Sequence, residues 1–435
     1  MTFTEALDFI YSAEKYGSVL GLDTMRTLLN AMGNPQDSLK FVHVAGTNGK
    51  GSVCSAISTI LCTAGYRTGL YISPFVQEFG ERIQVNNRNI SEEDLAEIVE
   101  FVAEKTDEIV AAGAHHPTVF ELMTVAGLEY FRRQKCDIVV LEVGLGGRLD
   151  ATNVIDPPEC AVIMNIGLDH TDQLGNTIAQ IAAEKGGIIK GGCPVVMYDQ
   201  GDEAVNVIKQ ICRERGSELK VATGATGPES VDIHGMTFSV PYFKHLHTVL
   251  LGRHQVKNLA AAVCAARVLA KRGWKITNKN IRDGIAATRW LGRFELMNED
   301  PVFIVDGAHN PQAMDALIDT LELIFGDRKY TFIMGVMRDK DYFSNIRRLA
   351  PLASRFYTCE PPMPGRAMKP EELAEAIRTV YDGPVTPCPS VTKAVAMAVK
   401  EASKDDVIIA CGSLYQIGDI RTYFGFAGAN HTHQM

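Results

Sequence analysis

Two runs of alternating strand and helix patterns dominate the 435-residue sequence. In the first run, short apolar segments rich in β-branched residues predict strands, and helical patterns lie between them. Parallel strands need a crossover connection, usually a helix, so the alternation favours a mostly parallel sheet with helices on both faces. The predicted strands are 40–45, 67–72, 137–142 and 160–166, and the predicted helices are 53–61, 91–111, 118–133 and 255–272.

The second run begins after residue 300 and predicts another α/β unit, of nucleotide-fold type. Its predicted strands are 302–306, 330–336, 355–359 and 406–411, and its predicted helices are 311–325, 341–350, 370–380 and 391–402. Because the chain is long for one core, we expect two domains, 1–297 and 298–435, with 296–300 as the linker. Residues 218–250 predict a small antiparallel insert, and the tail 425–435 is expected to be frayed.

Composition and charge restrict the possible partners. A net charge of −9 argues against a nucleic acid or an acidic membrane as the partner. The first residues carry acids without a long apolar core, so they do not resemble a signal peptide, and no apolar stretch is long enough to span a bilayer. The ten cysteines occur singly in apolar contexts, which favours buried reduced thiols. We therefore expect a cytoplasmic monomer that acts on small molecules.

A glycine-rich loop, VAGTNGKGS at 44–52, follows the first predicted strand. Its glycines allow the backbone to approach an anion, the next helix offers free N–H groups, and Lys50 supplies a positive charge. The loop departs from G-x-x-x-x-G-K-[ST], because Val44 replaces the first glycine and Gly51 replaces the metal-binding hydroxyl. Two interpretations stay open: a phosphate-binding loop whose metal is held elsewhere, or a turn with a surface lysine.

Polar side chains also end three other strands of the first run. Ser73 follows the second strand, Glu142 ends the third, and Asp169 and His170 follow the fourth. Ligands in α/β proteins bind at the carboxyl edge of the sheet, and Mg²⁺ prefers one or two carboxylates together with phosphate oxygens. Each residue also has an ordinary alternative: Ser73 in a turn, and His170 as a structural histidine.

The second run repeats this arrangement. Asp306 ends its first strand, His309 and Asn310 occupy the next turn, and Ser413 follows its last strand. Two polar sheet edges suggest a cleft with a nucleotide on one wall and a second substrate on the other. Lys185 lies in a helical pattern and, from the residues alone, is expected to be a solvated lysine.

Eight motifs together resemble the folylpolyglutamate synthase/dihydrofolate synthase family, relatives of the Mur peptide ligases. In order they are AGTNGKGS, LEVGLGGRLDATN, IGLDHTDQLG, EKGGIIK, LGRHQVKN, GRFE, DGAHNP and GSLYQIGDIR, and they cover roughly residues 40–421. The resemblance implies an α/β fold: a Mur-ligase-like P-loop ATPase domain with a parallel sheet, then a smaller Rossmann-like α/β domain. It implies an ATP-dependent amide ligase that adds L-glutamate to folate, and to dihydropteroate, through an acyl phosphate. The additional Gly51 is itself the family's form of the loop.

The resemblance also implies a role for individual residues. Nucleotide-binding positions are Gly46, Thr47, Asn48, Gly49, Lys50, Gly51, Ser52, Asn258, Arg293 and Asp306. Pterin-substrate positions are Thr118, Arg148, Leu149 and Asp150, and the incoming glutamate is expected at His309 and Ser413. Two Mg²⁺ ions are expected, with Ser73, Glu142, His170 and an N6-carboxylated Lys185 as ligands. The expected catalytic groups are Lys50, Lys185, Asp306 and His309. The sequence departs from the family pattern at Gly186, where alanine is commoner, and at Gly80, where asparagine is frequent.

Three alternative functions fit the sequence less well. A Mur-type cell-wall ligase would favour a GKT loop and a UDP-binding N-terminal domain, for which residues 1–39 leave no room. A GTPase-like switch would need an N-K-x-D motif, but Asn278-Lys279 is followed by Asn-Ile. A non-catalytic nucleotide-binding module would not need the polar edge with Asp306 and His309. Residues 18–29 resemble the segment associated with dihydropteroate binding, which favours a bifunctional enzyme.

Overall fold

The computed structural model describes residues 1–17 and 21–426. The helices are α1 (Phe3–Ser12), α2 (Asp23–Ala31), α3 (Lys50–Thr63), α4 (Glu92–Ala111), α5 (Val119–Arg133), α6 (Thr171–Leu174), α7 (Ile178–Gly186), α8 (Asp202–Glu214), α9 (Arg253–Lys271), α10 (Asn278–Ala287), α11 (Pro311–Phe325), α12 (Tyr342–Leu349), α13 (Pro370–Arg378), α14 (Val391–Glu401) and α15 (Ile417–Tyr423). The strands are β1 (Phe41–Ala45), β2 (Thr68–Tyr71), β3 (Ile83–Val85), β4 (Arg88–Asn89), β5 (Ile138–Glu142), β6 (Cys160–Ile163), β7 (Val195–Met197), β8 (Leu219–Val221), β9 (Thr226–Val231), β10 (Met236–Val240), β11 (Phe243–Thr248), β12 (Glu295–Glu299), β13 (Val302–Val305), β14 (Tyr330–Met334), β15 (Ala353–Thr358), β16 (Val385–Pro387) and β17 (Val407–Cys411).

An eight-stranded sheet forms the first part of the chain, in the order β4-β3-β2-β5-β1-β6-β7-β8. The strands from β2 to β8 along this order are parallel, and only the hairpin β3–β4 at one edge runs antiparallel. Every residue of β1, β5 and β6 is buried, as expected for central strands that are covered by helices on both faces. The predicted parallel sheet is confirmed.

The antiparallel insert is confirmed in part. Strands β9, β10 and β11 form a separate three-stranded antiparallel sheet. The beginning of the predicted insert is wrong, however, because β8 pairs in parallel with β7 as the last strand of the large sheet. Helix α8 connects these two strands, and such a crossover returns the chain in the parallel direction.

The second sheet has six strands in the order β12-β13-β17-β14-β15-β16. All pairs are parallel except β12 with β13. The predicted linker 296–300 is therefore wrong, since most of it forms β12, where Met297 packs into the core of the second sheet. The division after residue 297 stays a prediction, and β12 begins before it. The expected frayed tail lies, from residue 427, outside the described residues.

The helices pack on the sheets, and none of those described is a candidate for a membrane span. Within residues 1–17 and 21–426, no helix is both long and apolar enough to cross a bilayer. All ten cysteines are free, and eight of them are buried, in agreement with the expected thiols.

A close contact between α3 and α10 fixes the helix layer over the large sheet. Gly284 of α10 lies so near that a Cβ there would be 2.6 Å from the Ile60 Cα of α3. The obstacle is backbone, which cannot rotate away, so the two helices would have to separate.

We expect Gly284→Ala to lower the free energy of unfolding by about 1–3 kcal/mol, the range for overpacking of a well-filled core. Urea denaturation followed by circular dichroism measures this change. Gly201→Ala is the matched control, because nothing lies within 4 Å of a Cβ at that position. Equal stability of both variants and the unchanged protein would contradict the packing argument.

Candidate functional site

Four neighbouring strands of the large sheet end at one edge, and each end carries a polar group. The strands are β2, β5, β1 and β6 in spatial order. Ser73 follows β2, Glu142 ends β5, the glycine-rich loop follows β1, and His170 follows β6. Because parallel strands have their carboxyl ends on the same side, residues far apart in sequence meet here.

The glycine-rich loop is fixed to the segment that follows β6. The Thr47 N–H donates to the Asn165 carbonyl at 2.7 Å, and the Thr47 hydroxyl lies 3.1 Å from both the N and the O of Gly167. Helix α3 begins at Lys50, whose ammonium donates to the carbonyls of Gly46 and Thr47 at 3.1 and 3.3 Å. The loop thus combines a helix N-terminus with a lysine, the arrangement that binds phosphate.

Two positions of the loop require glycine, because neighbouring side chains occupy the space of a Cβ. Gly49 has a φ of 84°, and a Cβ there would lie 2.5 Å from the Asn258 Oδ1. A Cβ at Gly51 would collide with the Trp290 ring. Packing therefore explains Gly51 in this chain, because the indole of Trp290 occupies the space of a side chain at position 51.

Glu142 is a buried carboxylate at the centre of this edge. Its side chain accepts a hydrogen bond from the Ser73 N–H at 3.2 Å. Burial raises the pKa of Glu142 to about 7, against the opposing positive charge of Lys50. A bound cation would offset this cost of burial, so Glu142 fits the role of a metal ligand.

His170 lies at the same sheet edge, immediately before α6, with a left-handed φ of 51°. Burial lowers the pKa of its imidazole, which keeps the ring neutral and able to coordinate. Among residues 1–17 and 21–426, no three His, Cys, Asp or Glu side chains are grouped as a metal site. Any ligand set here is therefore mixed, with the Ser73 hydroxyl beside one carboxylate and one imidazole.

Lys185 is not the solvated lysine expected from its helical pattern. Its side chain is buried, and its Nζ donates to the Gly46 carbonyl at 2.9 Å. Burial, helped by the charge of Lys50, lowers the pKa of Lys185 to about 7. The neighbouring Gly186 packs against Ile211, whose Cδ1 would lie 2.5 Å from an added Cβ. An alanine at this position would require the flexible end of the Ile211 side chain to move.

The second sheet supplies the opposite wall of the cleft. Asp306 follows β13, and its carboxylate accepts the N–H groups of Phe294 and Ala308 at 2.8 and 2.7 Å. The His309 Nδ1 lies 2.8 Å from the Gly307 carbonyl, so Nδ1 is assigned the proton and Nε2 is left as an acceptor. Burial lowers the pKa of His309 to about 4, which makes the ring neutral at pH 7.

Polar contacts join the two walls. The Asn310 Nδ2 donates to the Asn48 Oδ1 at 3.2 Å and to the Asp169 Oδ2 at 3.4 Å. The Lys340 ammonium lies 3.4 Å from the Asp169 Oδ1. Burial would raise the pKa of Asp169, but the charge and the hydrogen bond of Lys340 oppose it, and that pKa is lowered.

A cavity of about 530 Å³ lies between the two walls. It brings together most of the residues predicted from the sequence. They are Gly46, Thr47, Asn48, Gly49, Lys50, Gly51, Ser52, Ser73, Glu142, His170, Lys185, Asn258, Arg293, Asp306 and His309.

A second cavity of about 360 Å³ adjoins the first and includes three of the predicted pterin positions, Thr118, Leu149 and Asp150. Thr118 caps α5, and Asp150 accepts the Leu145 N–H at 2.8 Å. Ser73, Pro74, Gly144 and Leu145 line both cavities. A ligand in the smaller cavity can therefore reach the nucleotide cleft.

The structure does not bring Arg148 or Ser413 to the lining of these two cavities. The Arg148 guanidinium pairs instead with the Glu184 carboxylate at 2.9 Å. Ser413 is buried, and its hydroxyl accepts the Tyr415 N–H at 3.2 Å. Of the segment 18–29, Gly21 lines the smaller cavity, while residues 18–20 lie outside the described part of the chain.

Sequence reasoning missed several residues of the cleft region, among them Lys340 and Trp290. Lys340 follows β14, so the rule for strand ends would have found it. Trp290 lines the nucleotide cavity after α10, and no local pattern indicates that its ring would cover the first turn of α3.

Comparison with known proteins agrees with this architecture. Residues 44–266 match the Mur ligase middle domain, and residues 292–414 match the Mur ligase glutamate ligase domain. The folylpolyglutamate synthase of Lacticaseibacillus casei is 36% identical over 431 residues, which cover 97% of this chain and 98% of that protein.

Two solved structures are similar over nearly the whole chain. Escherichia coli FolC in complex with DHPP and ADP has a TM-score of 0.86 at 28% identity and covers 98% of each chain. A folylpolyglutamate synthase complex with AMPPCP and folate has a TM-score of 0.83 at 34% identity, covering 97% of this chain and 99% of that one. These nucleotide complexes support ATP binding by this chain, and the matches do not favour a Mur-type cell-wall ligase. The chain therefore belongs to the folylpolyglutamate synthase/dihydrofolate synthase family of Mur ligases, whose members are ATP-dependent ligases.

Proposed function

We propose that this enzyme adds L-glutamate to a folate and also to dihydropteroate, using ATP. The main support is the junction of two cavities: three of the four predicted pterin positions line one, the phosphate-binding loop lines the other, and four residues line both. A substrate carboxylate that projects from the smaller cavity would meet the γ-phosphate beside Lys50. We also expect the enzyme to act as a cytoplasmic monomer.

The proposed reaction has two steps. The substrate carboxylate attacks the γ-phosphate of ATP, which forms an acyl phosphate and releases ADP. The amine of glutamate then attacks the acyl carbon, forms the amide and expels inorganic phosphate, while the amine loses a proton. Lys50 and the free N–H groups of α3 stabilise the charge on the transferring phosphoryl group.

We propose His309 as the group that accepts the proton of the glutamate amine. The ring is neutral at pH 7, and its Nε2 is free to accept once Nδ1 donates to the Gly307 carbonyl. The contact between Asn345 Nδ2 and the His309 carbonyl, at 3.1 Å, holds the backbone of this residue in place.

We propose that Ser73, Glu142 and His170 hold Mg²⁺. Their donor atoms fit, because a buried carboxylate whose pKa is raised by burial gains most from a cation, and all three residues line one cavity. The bound metal would neutralise charge on the phosphate oxygens.

Lys185 is proposed to be carboxylated at Nζ and to support a second metal ion. The neutral amine attacks CO₂, an N–C bond forms, and one proton leaves, so that a carbamate replaces the amine. Burial favours this reaction, because it lowers the pKa of Lys185 to about 7 and thus supplies the neutral amine.

ADP release in the presence of L-glutamate tests the substrates. We expect ADP with tetrahydrofolate and with dihydropteroate, and none when glutamate or the pterin is left out. D-glutamate serves as the control for the amino-acid site. ADP release with only one pterin would reject the bifunctional proposal, and release with neither would reject the proposed function.

Lys50→Ala should lower turnover by about 10²–10⁴, the scale found when an electrostatic donor to the transition state is lost. Lys257→Ala is a control, because that lysine is exposed on α9 and donates only to the Asp199 carbonyl. ADP formation within threefold of the unchanged enzyme would show that Lys50 does not stabilise the phosphoryl group.

The Lys185→Ala variant tests whether the Lys185 side chain is a carbamate or an ammonium group. Loss of a carbamate should weaken Mg²⁺ binding, whereas loss of an ammonium should tighten it, since like charges at this range repel by about 1–4 kcal/mol. Calorimetric titration of Mg²⁺ with a nonhydrolysable ATP analogue present measures the difference. Lys190→Ala controls for loss of a partly buried lysine, because Lys190 donates to the carbonyls of Asn153 and Ile155 outside the cleft. Tighter Mg²⁺ binding by Lys185→Ala would contradict the carbamate.

A further inference from the structure

A third cavity of about 720 Å³ lies between helix α3, the β3–β4 hairpin and the segment that follows α10. It is the largest of the cavities described for residues 1–17 and 21–426. None of the residues predicted from the sequence lines it. It touches the nucleotide cleft through four residues, among them Trp290.

The walls of this cavity are held in place by side-chain contacts. Asn86 and Asn87 form the hairpin turn with left-handed φ values of 52° and 58°. The Asn87 amide lies 3.3 Å from the Ser58 hydroxyl and 3.4 Å from the Thr59 hydroxyl, both on α3. The Asn86 Oδ1 accepts the Thr68 N–H at 2.9 Å. The hairpin is thus fixed to α3 and to β2, and the cavity is preformed.

The cavity has an excess of uncompensated positive charge. Arg289 is half-buried, and its Nη1 donates to the carbonyls of Ala286 and Thr288 at 2.8 and 3.0 Å. Neither Arg289 nor Arg88, which also lines the cavity, forms an ion pair with a residue of the described chain. Burial lowers the pKa of Arg289, in keeping with the lack of an ion pair to this residue.

The one acid of the lining is already engaged. The Glu81 carboxylate accepts the backbone N–H groups of Val76, Gln77 and Glu78 at 2.7–3.0 Å. These bonds hold Glu81 to its own loop, and the lining as a whole contains two arginines and one acid. An anionic ligand would therefore supply what Arg289 lacks.

The remaining lining suits a flat apolar group. Leu70, Ile72 and Leu291 contribute aliphatic surface, and Trp290 contributes an indole. Arginine binds a carboxylate with two parallel hydrogen bonds, and an indole favours an aromatic ring by stacking. We propose that this cavity is a binding site for an aromatic carboxylate about the size of a bicyclic ring system, separate from the nucleotide site.

The segment that lines the cavity also touches the phosphate-binding helix. The Arg289 carbonyl accepts the Ser55 hydroxyl of α3 at 2.7 Å, and Trp290 covers Gly51. A ligand beside Arg289 and Trp290 would thus contact the residues that pack on the first turns of α3.

Calorimetric titration of the whole protein with 2-naphthoate tests the proposal, without substrates and without nucleotide. We expect one binding site per chain, with a dissociation constant below 1 mM. The neutral isostere 2-naphthamide should bind at least tenfold more weakly, because it lacks the charge that pairs with Arg289. Equal affinity for the two compounds would overturn the proposal.

Substitution of the lining arginines tests whether 2-naphthoate binds in this cavity. Arg289→Gln should weaken 2-naphthoate binding at least tenfold, whereas Arg282→Gln, on the exposed side of α10, should leave it unchanged. Arg88→Gln changes the exposed first residue of β4 and should weaken binding about threefold. Unchanged affinity in both Arg289→Gln and Arg88→Gln would overturn the proposal.

A second titration, with a saturating nonhydrolysable ATP analogue, separates this cavity from the nucleotide cleft. Binding of 2-naphthoate should persist. Loss of binding would show that the carboxylate occupies the nucleotide cleft and would overturn the proposal. The result does not depend on the proposed glutamate ligation, because no turnover is measured.

Discussion

The position of β1 between β5 and β6 determines where the chemistry of this protein can take place. The register pairs Val44 with Glu142 on one side and with Val162 on the other. The phosphate-binding loop therefore leaves the sheet between a carboxylate and the segment that leads to His170. A change in strand order would separate these groups even if every local motif were kept.

Several of the ionisable side chains in the cleft are buried. Glu142, Lys185 and Asp306 all lie in the protein interior, and burial shifts the pKa of each toward its neutral form. An isolated charge is costly in the protein interior, so a ligand of opposite charge stabilises these side chains when it binds. Nucleotide phosphates and a divalent cation have opposite signs, and together they satisfy both kinds of residue.

Much of this arrangement was predictable from the sequence, for a physical reason. Central parallel strands are continuous apolar runs, and the rule that ligands bind at their carboxyl ends located Ser73, Glu142, His170 and Asp306 in the cleft. Short edge strands such as β4 and β12 were not predicted, because their pairing depends on tertiary neighbours.

The local sequence also does not predict that a residue such as Lys185 is buried. Lys185 has the sequence environment of a surface lysine, and only the packing of α7 against the glycine-rich loop makes it an interior group. The same is true of Trp290, whose partner Gly51 is more than two hundred residues earlier in the chain.

The contact between Gly51 and Trp290 has a consequence for how this sequence can change over time. A side chain at position 51 and an indole at position 290 would occupy the same volume, so a larger residue at position 51 requires a change at position 290. A lineage that acquires a larger residue at 51 must first accept a smaller one at 290, and the order of these two events matters. The two positions should therefore covary among descendants of this chain. The loop lacks a hydroxyl at position 51 because the indole of Trp290 fills the space that such a side chain would need.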